Sequence, residues 1–248
     1  MDLQLEGTIA LVTGGSAGIG AACVRLLAAE GADVVLAYRR DAEGAGRAAG
    51  DVRAAGRRAW TVQMDVSDEA SVRAAFAQIH GLVAGLHVLV HSAGENVVTP
   101  FAGLNPDEWD HVVRTNLNGA YYVLHHARPL LRPGGAVVLI ASVAASTGAA
   151  HHAHYAAAKA GVVNLAKSAA RALAPDVRVN CVSPGITLTA MGEQTVRALA
   201  PDYARQKLLA GRYAAPDEIA RAVVFLASPA ASFVYGATLD VNGGRDLR

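Results

Sequence analysis

The chain has 248 residues, 52% of them hydrophobic and 17% charged, with a formal net charge of +1. That apolar content over that length can bury one large core, and α/β domains of this size often stay undivided. The near-neutral charge gives no electrostatic reason to expect nucleic acid or an anionic membrane, so the expected partners are small molecules and copies of the chain itself.

The first strand is expected over 8–13, TIALVT, which runs through GGSAGIG into a helix over 18–30. Strand, glycine-rich turn and helix follow in the order a dinucleotide site needs. Gly14 allows a tight exit from the strand, Gly18 lets the backbone approach a pyrophosphate, and Gly20 lets the helix pack closely on the sheet. The spacing is G-x-x-x-G-x-G rather than G-x-G-x-x-G, and a plain strand-to-helix loop is the alternative. Further strands are expected at 33–38, 59–64, 86–91, 136–141, 177–182 and 238–241, and further helices at 41–55, 68–84, 106–131, 152–174 and 216–227. This alternation predicts one α/β domain over 1–248, built on a doubly wound parallel sheet covered on both faces. The segment 190–212 is long and mixed in polarity, which suits a mobile lid.

Cys23 and Cys181 fall in a predicted helix and a predicted strand, so buried free thiols are expected rather than a disulfide framework or a metal cluster. The opening MDLQLEGTIALVTGG has no basic segment followed by a signal-type apolar core, and no stretch approaches the roughly 18 apolar residues of a membrane span. A cytoplasmic location is the resulting expectation.

Tyr155 and Lys159 stand four apart in HHAHYAAAKAG, on one helix face, and Ser142 closes the apolar run AVVLIAS thirteen positions earlier. A tyrosine of ordinary pKa, about 10, is a poor acid or base near neutrality, and a neighbouring ammonium is expected to lower it. Tyr-x-x-x-Lys also arises by chance in many helices. His151, His152 and His154 crowd the start of this helix and, with no acidic or cysteine partner nearby in sequence, are expected to be surface residues; no metal is expected.

These motifs together resemble the short-chain dehydrogenase/reductase family, in its 3-oxoacyl-carrier-protein reductase-like branch. The matches are TGGSAGIG (13–20), HSAG (91–94), Asn116 in RTNLNGAYYV, Ser142, Tyr155-x-x-x-Lys159, VRVNCVSPG (177–185) and LDVNGG (239–244). The resemblance implies a Rossmann-type seven-stranded sheet in the order 3-2-1-4-5-6-7, with Asn116, Ser142, Tyr155 and Lys159 catalytic. It implies a nicotinamide cofactor held by Gly14, Ser16, Gly18, Ile19 and Gly20, by Tyr38, Arg39 and Arg40, by Asp65 and Val66, and by Ser92, Ala93 and Gly94. Tyr155, Lys159, Pro184, Gly185, Ile186 and Thr189 would complete that site. Where NAD-using relatives place an acidic residue, this chain has Tyr38 followed by Arg39 and Arg40; a guanidinium favours a 2′-phosphate, so NADP(H) is expected over NAD(H). An arginine at a strand end can also be merely solvated, Asp65 or Ser67 can simply start a helix, and Thr189 can close a turn.

His91 replaces the family's usual asparagine and is expected to be a satisfied structural histidine. Glu95, Asn96, Ala144, Ala145, His152 and Gly185 are the expected substrate-pocket residues. The implied function is NADPH-dependent hydride transfer between nicotinamide and the carbonyl or secondary alcohol of a small molecule, with a 3-oxoacyl-carrier reductase as one alternative and a catalytically silent NADP-binding protein as another. In the stretch after Arg171, Pro175 and Asp176 stand where a carrier-binding arginine is expected, which disfavours the carrier-protein substrate. The family also pairs the 106–131 and 152–174 helices with their symmetry copies, which implies a homotetramer.

Overall fold

The computed structural model describes residues 2–247. Seven parallel strands form one sheet in the order β3-β2-β1-β4-β5-β6-β7. They are β1 (Ile9–Thr13), β2 (Asp33–Tyr38), β3 (Ala59–Gln63), β4 (Leu86–His91), β5 (Leu131–Ile140), β6 (Val177–Pro184) and β7 (Thr238–Val241). Ala10, Leu11 and Val12 are all fully buried, as consecutive residues must be when both faces of a parallel sheet are covered.

One face carries α1 (Gly18–Ala29), α2 (Ala42–Ala54) and α10 (Pro216–Ala227), whose core includes Leu27, Val52 and Ile219. The other carries α3 (Glu69–Leu82), α5 (Gly119–Ala127) and α7 (Ala153–Leu173), packed through Ile79, Val123 and Val162. Each such side chain contributes about 1.5–3 kcal/mol on burial. Cys23 and Cys181 lie in these layers, and burial pushes both thiols up to about 12.

Local chemistry sets where helices begin. Asp41 accepts from the N–H of Gly44 at the start of α2, Asp68 from Ala70 at α3, and Asn105 from Glu108 at α4 (Pro106–Val113). By contrast α1 is preceded by Ala17, which has no side-chain acceptor, so its first-turn amides are left uncapped by any side chain.

Two expectations are corrected. The helix expected over 106–131 is divided: α4 passes into a π-helical segment, Arg114–Asn118, before α5, and a 3-10 turn closes it at Leu130. The wider turn carries Thr115 and Asn116 inward, where both are buried, and a 3.6-residue period cannot foretell this. Strand β5 begins at Leu131, five residues early, because Leu131 pairs with Leu86 across a register shift. The 190–212 segment forms α8 (Ala190–Arg197) and α9 (Tyr203–Lys207), and a short α6 (Ala144–Thr147) follows β5. Among the described residues no helix is long and apolar enough to cross a membrane.

Strand order reverses between β1 and β4, and a crevice opens there at the carboxyl ends of the strands, the place where such sheets bind ligands.

Candidate active site

The crevice is a cleft of about 410 Å³. Its floor is the glycine turn: Gly14, Ser16, Gly18 and Ile19 line it, with Thr13 and Ala17. Gly14 has φ +68°, and a Cβ there would lie 2.9 Å from the backbone nitrogen of Ala93, so only glycine fits. Gly20 does not reach the cleft; a Cβ on it would stand 2.1 Å from the Gly14 carbonyl oxygen, which is the close helix–strand packing expected of it.

The cleft is also walled by Tyr38, Arg39, Arg40, Val66, Ser92, Ala93 and Gly94. Arg39 does not stand free: its guanidinium meets the Glu95 carboxylate at 3.3 Å, and Glu95 also pairs with His111. Asp65 does not line the cleft. Its Oδ1 accepts from the amide and hydroxyl of Ser67, at 3.0 and 2.7 Å. Burial pushes the carboxyl up, but these bonds and the fields of Arg39 and Arg40 prevail and hold it below its ordinary value.

The same cleft is lined by Asn116, Tyr155, Lys159, Thr189 and Met191. The Lys159 ammonium is 5.5 Å from the Tyr155 ring centre and donates to the Ile140 carbonyl at 2.8 Å. A Cβ on Gly94 would lie 2.6 Å from Asn116 Oδ1 and 3.5 Å from Lys159 Nζ, so both polar atoms converge beside Gly94. Asn116 Nδ2 donates to the carbonyls of Glu95 and Val112, while its buried Oδ1 has no partner among the described residues. Ser142 lies behind the lining, its Oγ accepting from the Ala144 amide.

The electrostatics overturn one expectation. Burial pushes the Tyr155 phenol up to about 12, opposed by the neighbouring Ser142 hydroxyl, and Lys159 does not lower it. Desolvation wins because the ammonium is itself buried and turned to a carbonyl; burial brings Lys159 down to about 8.

Two histidines also differ from expectation. His91 is fully buried with Nδ1 2.9 Å from Thr13 Oγ1, but its Nε2 has no partner among the described residues, so it is only half satisfied; burial, then the Lys159 charge, drives it down to about 3. His154 is not a surface residue: with no exposed area, its Nε2 meets Glu108 of α4 at 3.1 Å. The sequence hides this acid because it lies 46 positions away.

Thr189 Oγ1 accepts from the Gly192 amide and so starts α8. Pro184 ends β6 and Gly185 and Ile186 follow it, all three outside the lining; a Cβ on Gly185 would be 2.8 Å from the Asn242 carbonyl oxygen, so this turn packs on the segment after β7. Of the expected substrate residues only Glu95 lines the cleft, while Asn96, Ala144, Ala145 and His152 stand apart from that lining. Thr13 and Thr115 line the cleft from inside the matched motifs and Met191 from the 190–212 segment expected to wall the pocket, whereas Met64 and Ile140, like His111 and Glu108, carry no motif that marks them.

A family model described as enoyl-(acyl carrier protein) reductase matches residues 14–246. The chain is 44% identical to the cis-4-hydroxycyclohexanecarboxylate dehydrogenase of Sinomonas cyclohexanicum, over 95% of each chain. The chain belongs to the short-chain dehydrogenase/reductase family. Within this family it is 33% identical to the 3-oxoacyl-[acyl-carrier-protein] reductase of Aquifex aeolicus, over 98% of this chain and 99% of that one. A short-chain dehydrogenase from Burkholderia cenocepacia, solved in complex with NADP, superposes with a TM-score of 0.92 at 33% identity, covering 98% of this chain and 100% of that one. As a short-chain dehydrogenase/reductase the chain is an oxidoreductase that uses a nicotinamide cofactor and a small-molecule substrate. Its residues fit that cofactor: the turn is stripped of Cβ atoms where a pyrophosphate would approach, the α1 amides are uncapped, and Asn116 Oδ1 is an unused acceptor in the same cleft.

Proposed function

We propose that the protein is an NADP(H)-dependent ketoreductase or alcohol dehydrogenase acting on a free small molecule. The observation that carries this reading is the convergence of Tyr155, Lys159 and Asn116 in the cleft that Arg39 also lines, with Ser142 beside the tyrosine. The nicotinamide, when bound, supplies or accepts the hydride.

The chain's own residues then handle the proton. Negative charge grows on a carbonyl oxygen during reduction, and the Ser142 hydroxyl donates to that oxygen. Burial keeps the Tyr155 phenol protonated at neutral pH, so it is stocked as the proton donor. Lys159, brought down to about 8, holds a proton it can release, and Asn116 Oδ1 beside it can hold a water through which the tyrosine is replenished. Lys159 would also bind the nicotinamide ribose, while the Ile186 backbone and Thr189 would fix the carboxamide. Because Thr189 also starts α8, that contact would couple cofactor binding to a lid formed by 190–212.

NADP(H) is favoured over NAD(H) by Arg39 and Arg40 on the cleft wall, where Tyr38 stands in place of a carboxylate, and by the NADP-bound Burkholderia relative. An acyl-carrier thioester is the second reading, favoured by the Aquifex relative. Pro175 and Asp176 in place of a basic patch argue for the free ketone.

The exposed aromatic residues Tyr121 on α5 and Phe233 and Tyr235 before β7 support two isologous contacts and a homotetramer. The function is tested by NADPH oxidation over a panel of ketones that includes oxocyclohexanecarboxylates, wild type against Tyr155→Phe. Turnover that disappears in the variant is expected; equal background rates would overturn the reading.

A further inference from the structure

Arg39, the guanidinium that the cleft offers to a 2′-phosphate, is already engaged. Its Nη2 lies 3.3 Å from Oε2 of Glu95, and both residues line the cleft. Arg40 beside it pairs with no carboxylate among the described residues. Asp65, whose charge also acts on these arginines, is occupied by Ser67, so Glu95 is the carboxylate that competes for Arg39. A phosphate that takes Arg39 must displace it, and a partly buried carboxylate left without a partner is costly.

A second partner stands ready. Glu95 turns its other oxygen, Oε1, to Nε2 of His111 on α4, and that oxygen is closed off from solvent. Asn116 brings the two residues together: its Nδ2 donates to the carbonyls of Glu95 and Val112, at 2.8 and 2.9 Å, and so ties the loop after β4 to the end of α4. The His111 carbonyl is held in turn by the Thr115 hydroxyl at 3.0 Å, from within the π-helical segment. An imidazole Nε2–H donates to a carboxylate in one neutral tautomer as well as in the charged form, so this contact needs no change of pH. His111 is half-exposed and lies outside the cleft lining, so it meets the cofactor site only through Glu95.

We infer that His111 is a positioning residue for cofactor choice: when a 2′-phosphate takes the Arg39 guanidinium, the Glu95 carboxylate is handed over to His111, so His111 favours NADP(H) over NAD(H) without touching either. The inference rests on the NADP(H) reading above, with Arg39 as the phosphate ligand. Without His111 the displaced carboxylate has no partner, stays on Arg39 and repels the incoming phosphate. NAD(H) carries an uncharged hydroxyl at that ribose position, leaves the Arg39–Glu95 contact intact and gains nothing from His111.

Dissociation constants for NADP+ and NAD+ are measured calorimetrically on the full-length protein as wild type, Arg39→Gln, Glu95→Gln, His111→Leu, His111→Gln and the double variant Glu95→Gln/His111→Leu. His111→Leu should weaken NADP+ about two- to fivefold and NAD+ less than about twofold, the scale of a partly exposed ion pair. His111→Gln, which keeps an N–H towards the carboxylate, should recover most of that loss. In the Glu95→Gln background His111→Leu should leave NADP+ affinity unchanged, because no carboxylate remains to be handed over. Equal losses for the two cofactors, or a loss that persists in the Glu95→Gln background, would overturn the handover and make His111 a structural residue of α4. A crystal structure of the wild-type NADP+ complex tests the same point with no substitution: Glu95 should keep His111 while Arg39 turns to the phosphate, and a Glu95 carboxylate still on Arg39 would overturn it. The cofactor reading fails visibly on its own terms. Wild type that binds NADP+ no more tightly than NAD+, or NADP+ affinity unmoved by Arg39→Gln, would sink that reading and the handover with it; a preference lost in Arg39→Gln but untouched in His111→Leu would sink the handover alone.

Discussion

His154 Nδ1 accepts the backbone N–H of Tyr155 at 2.8 Å, while its Nε2 faces Glu108 at 3.1 Å. An acceptor at Nδ1 requires the proton on Nε2, so the imidazole is a neutral Nε2–H tautomer linking α4 to the first turn of α7. His154 therefore satisfies an amide that the helix start leaves open, and it fixes the residue that follows it.

Replacing His154 by alanine removes that bond, leaves a cavity and strands Glu108. A loss of about 1–3 kcal/mol is expected, read as a lower melting temperature, with kcat falling more than KM because Tyr155 is displaced rather than the substrate walls. A variant that melts and turns over like wild type would show that α7 holds Tyr155 without help.

The Arg39–Glu95 pair bears on cofactor choice. NADPH should be preferred over NADH by at least about tenfold, since a charge-assisted hydrogen bond is worth roughly 1.5–3 kcal/mol. Arg39→Asp should reverse the preference. Glu95→Gln should tighten NADPH by about two- to fivefold, because Arg39 no longer has a competing carboxylate, while the Glu95 carbonyl that holds Asn116 remains in place. An NADPH/NADH ratio unmoved by Arg39→Asp would make Arg39 a solvated strand-end residue.

Lys159 carries a signature in stability against pH. Its value in the folded protein, about 8, lies below the ordinary 10.5, so between those pH values the unfolded chain holds a proton that the native protein has lost. Stability therefore rises with pH across that window, and below it the cost of the buried ammonium is fully present. Tyr155, pushed from 10 to about 12, contributes the opposite slope above pH 10, which leaves pH 8–10 as the range to read. The melting temperature of wild type relative to Lys159→Met should climb over that range; a constant difference would mean that the ammonium is not desolvated.

Assembly has its own readout. Light scattering at micromolar concentration should give about four times the 25.5 kDa chain mass, and Tyr121→Glu should lower it. A monomeric wild type would contradict the tetramer.

Much of this was legible in the residues because the relevant constraints are local. The runs that became β2 and β7 begin and end where expected: β2 is buried on both faces and so nearly continuously apolar, while the half-exposed β7 is set off by Gly236 before it and Gly243 after it. Gly14 and Gly20 could be assigned from the strand–turn–helix order alone, and the structure shows the close approaches that exclude a Cβ. What escaped depends on contacts between distant segments. Glu95, expected to wall the substrate pocket, lies 56 residues from Arg39, yet it crosses to that arginine. The π turn at Arg114–Asn118 adds one residue to a helical repeat without any composition cue, and it is this turn that buries Asn116. The Tyr155–Lys159 spacing was visible, but the direction of the tyrosine's shift was not, because burial depends on everything packed around it.

The central claim, hydride transfer with Tyr155 as proton donor, is tested most directly with NADPH carrying deuterium at C4 on the transferred face. With wild type and a ketone substrate, mass spectrometry should find one deuterium on the carbinol carbon, and Tyr155→Phe should bind NADPH normally while forming product about 10²–10⁴-fold more slowly. Product from wild type with no deuterium at that carbon, or undiminished labelling rates in Tyr155→Phe, would contradict the account.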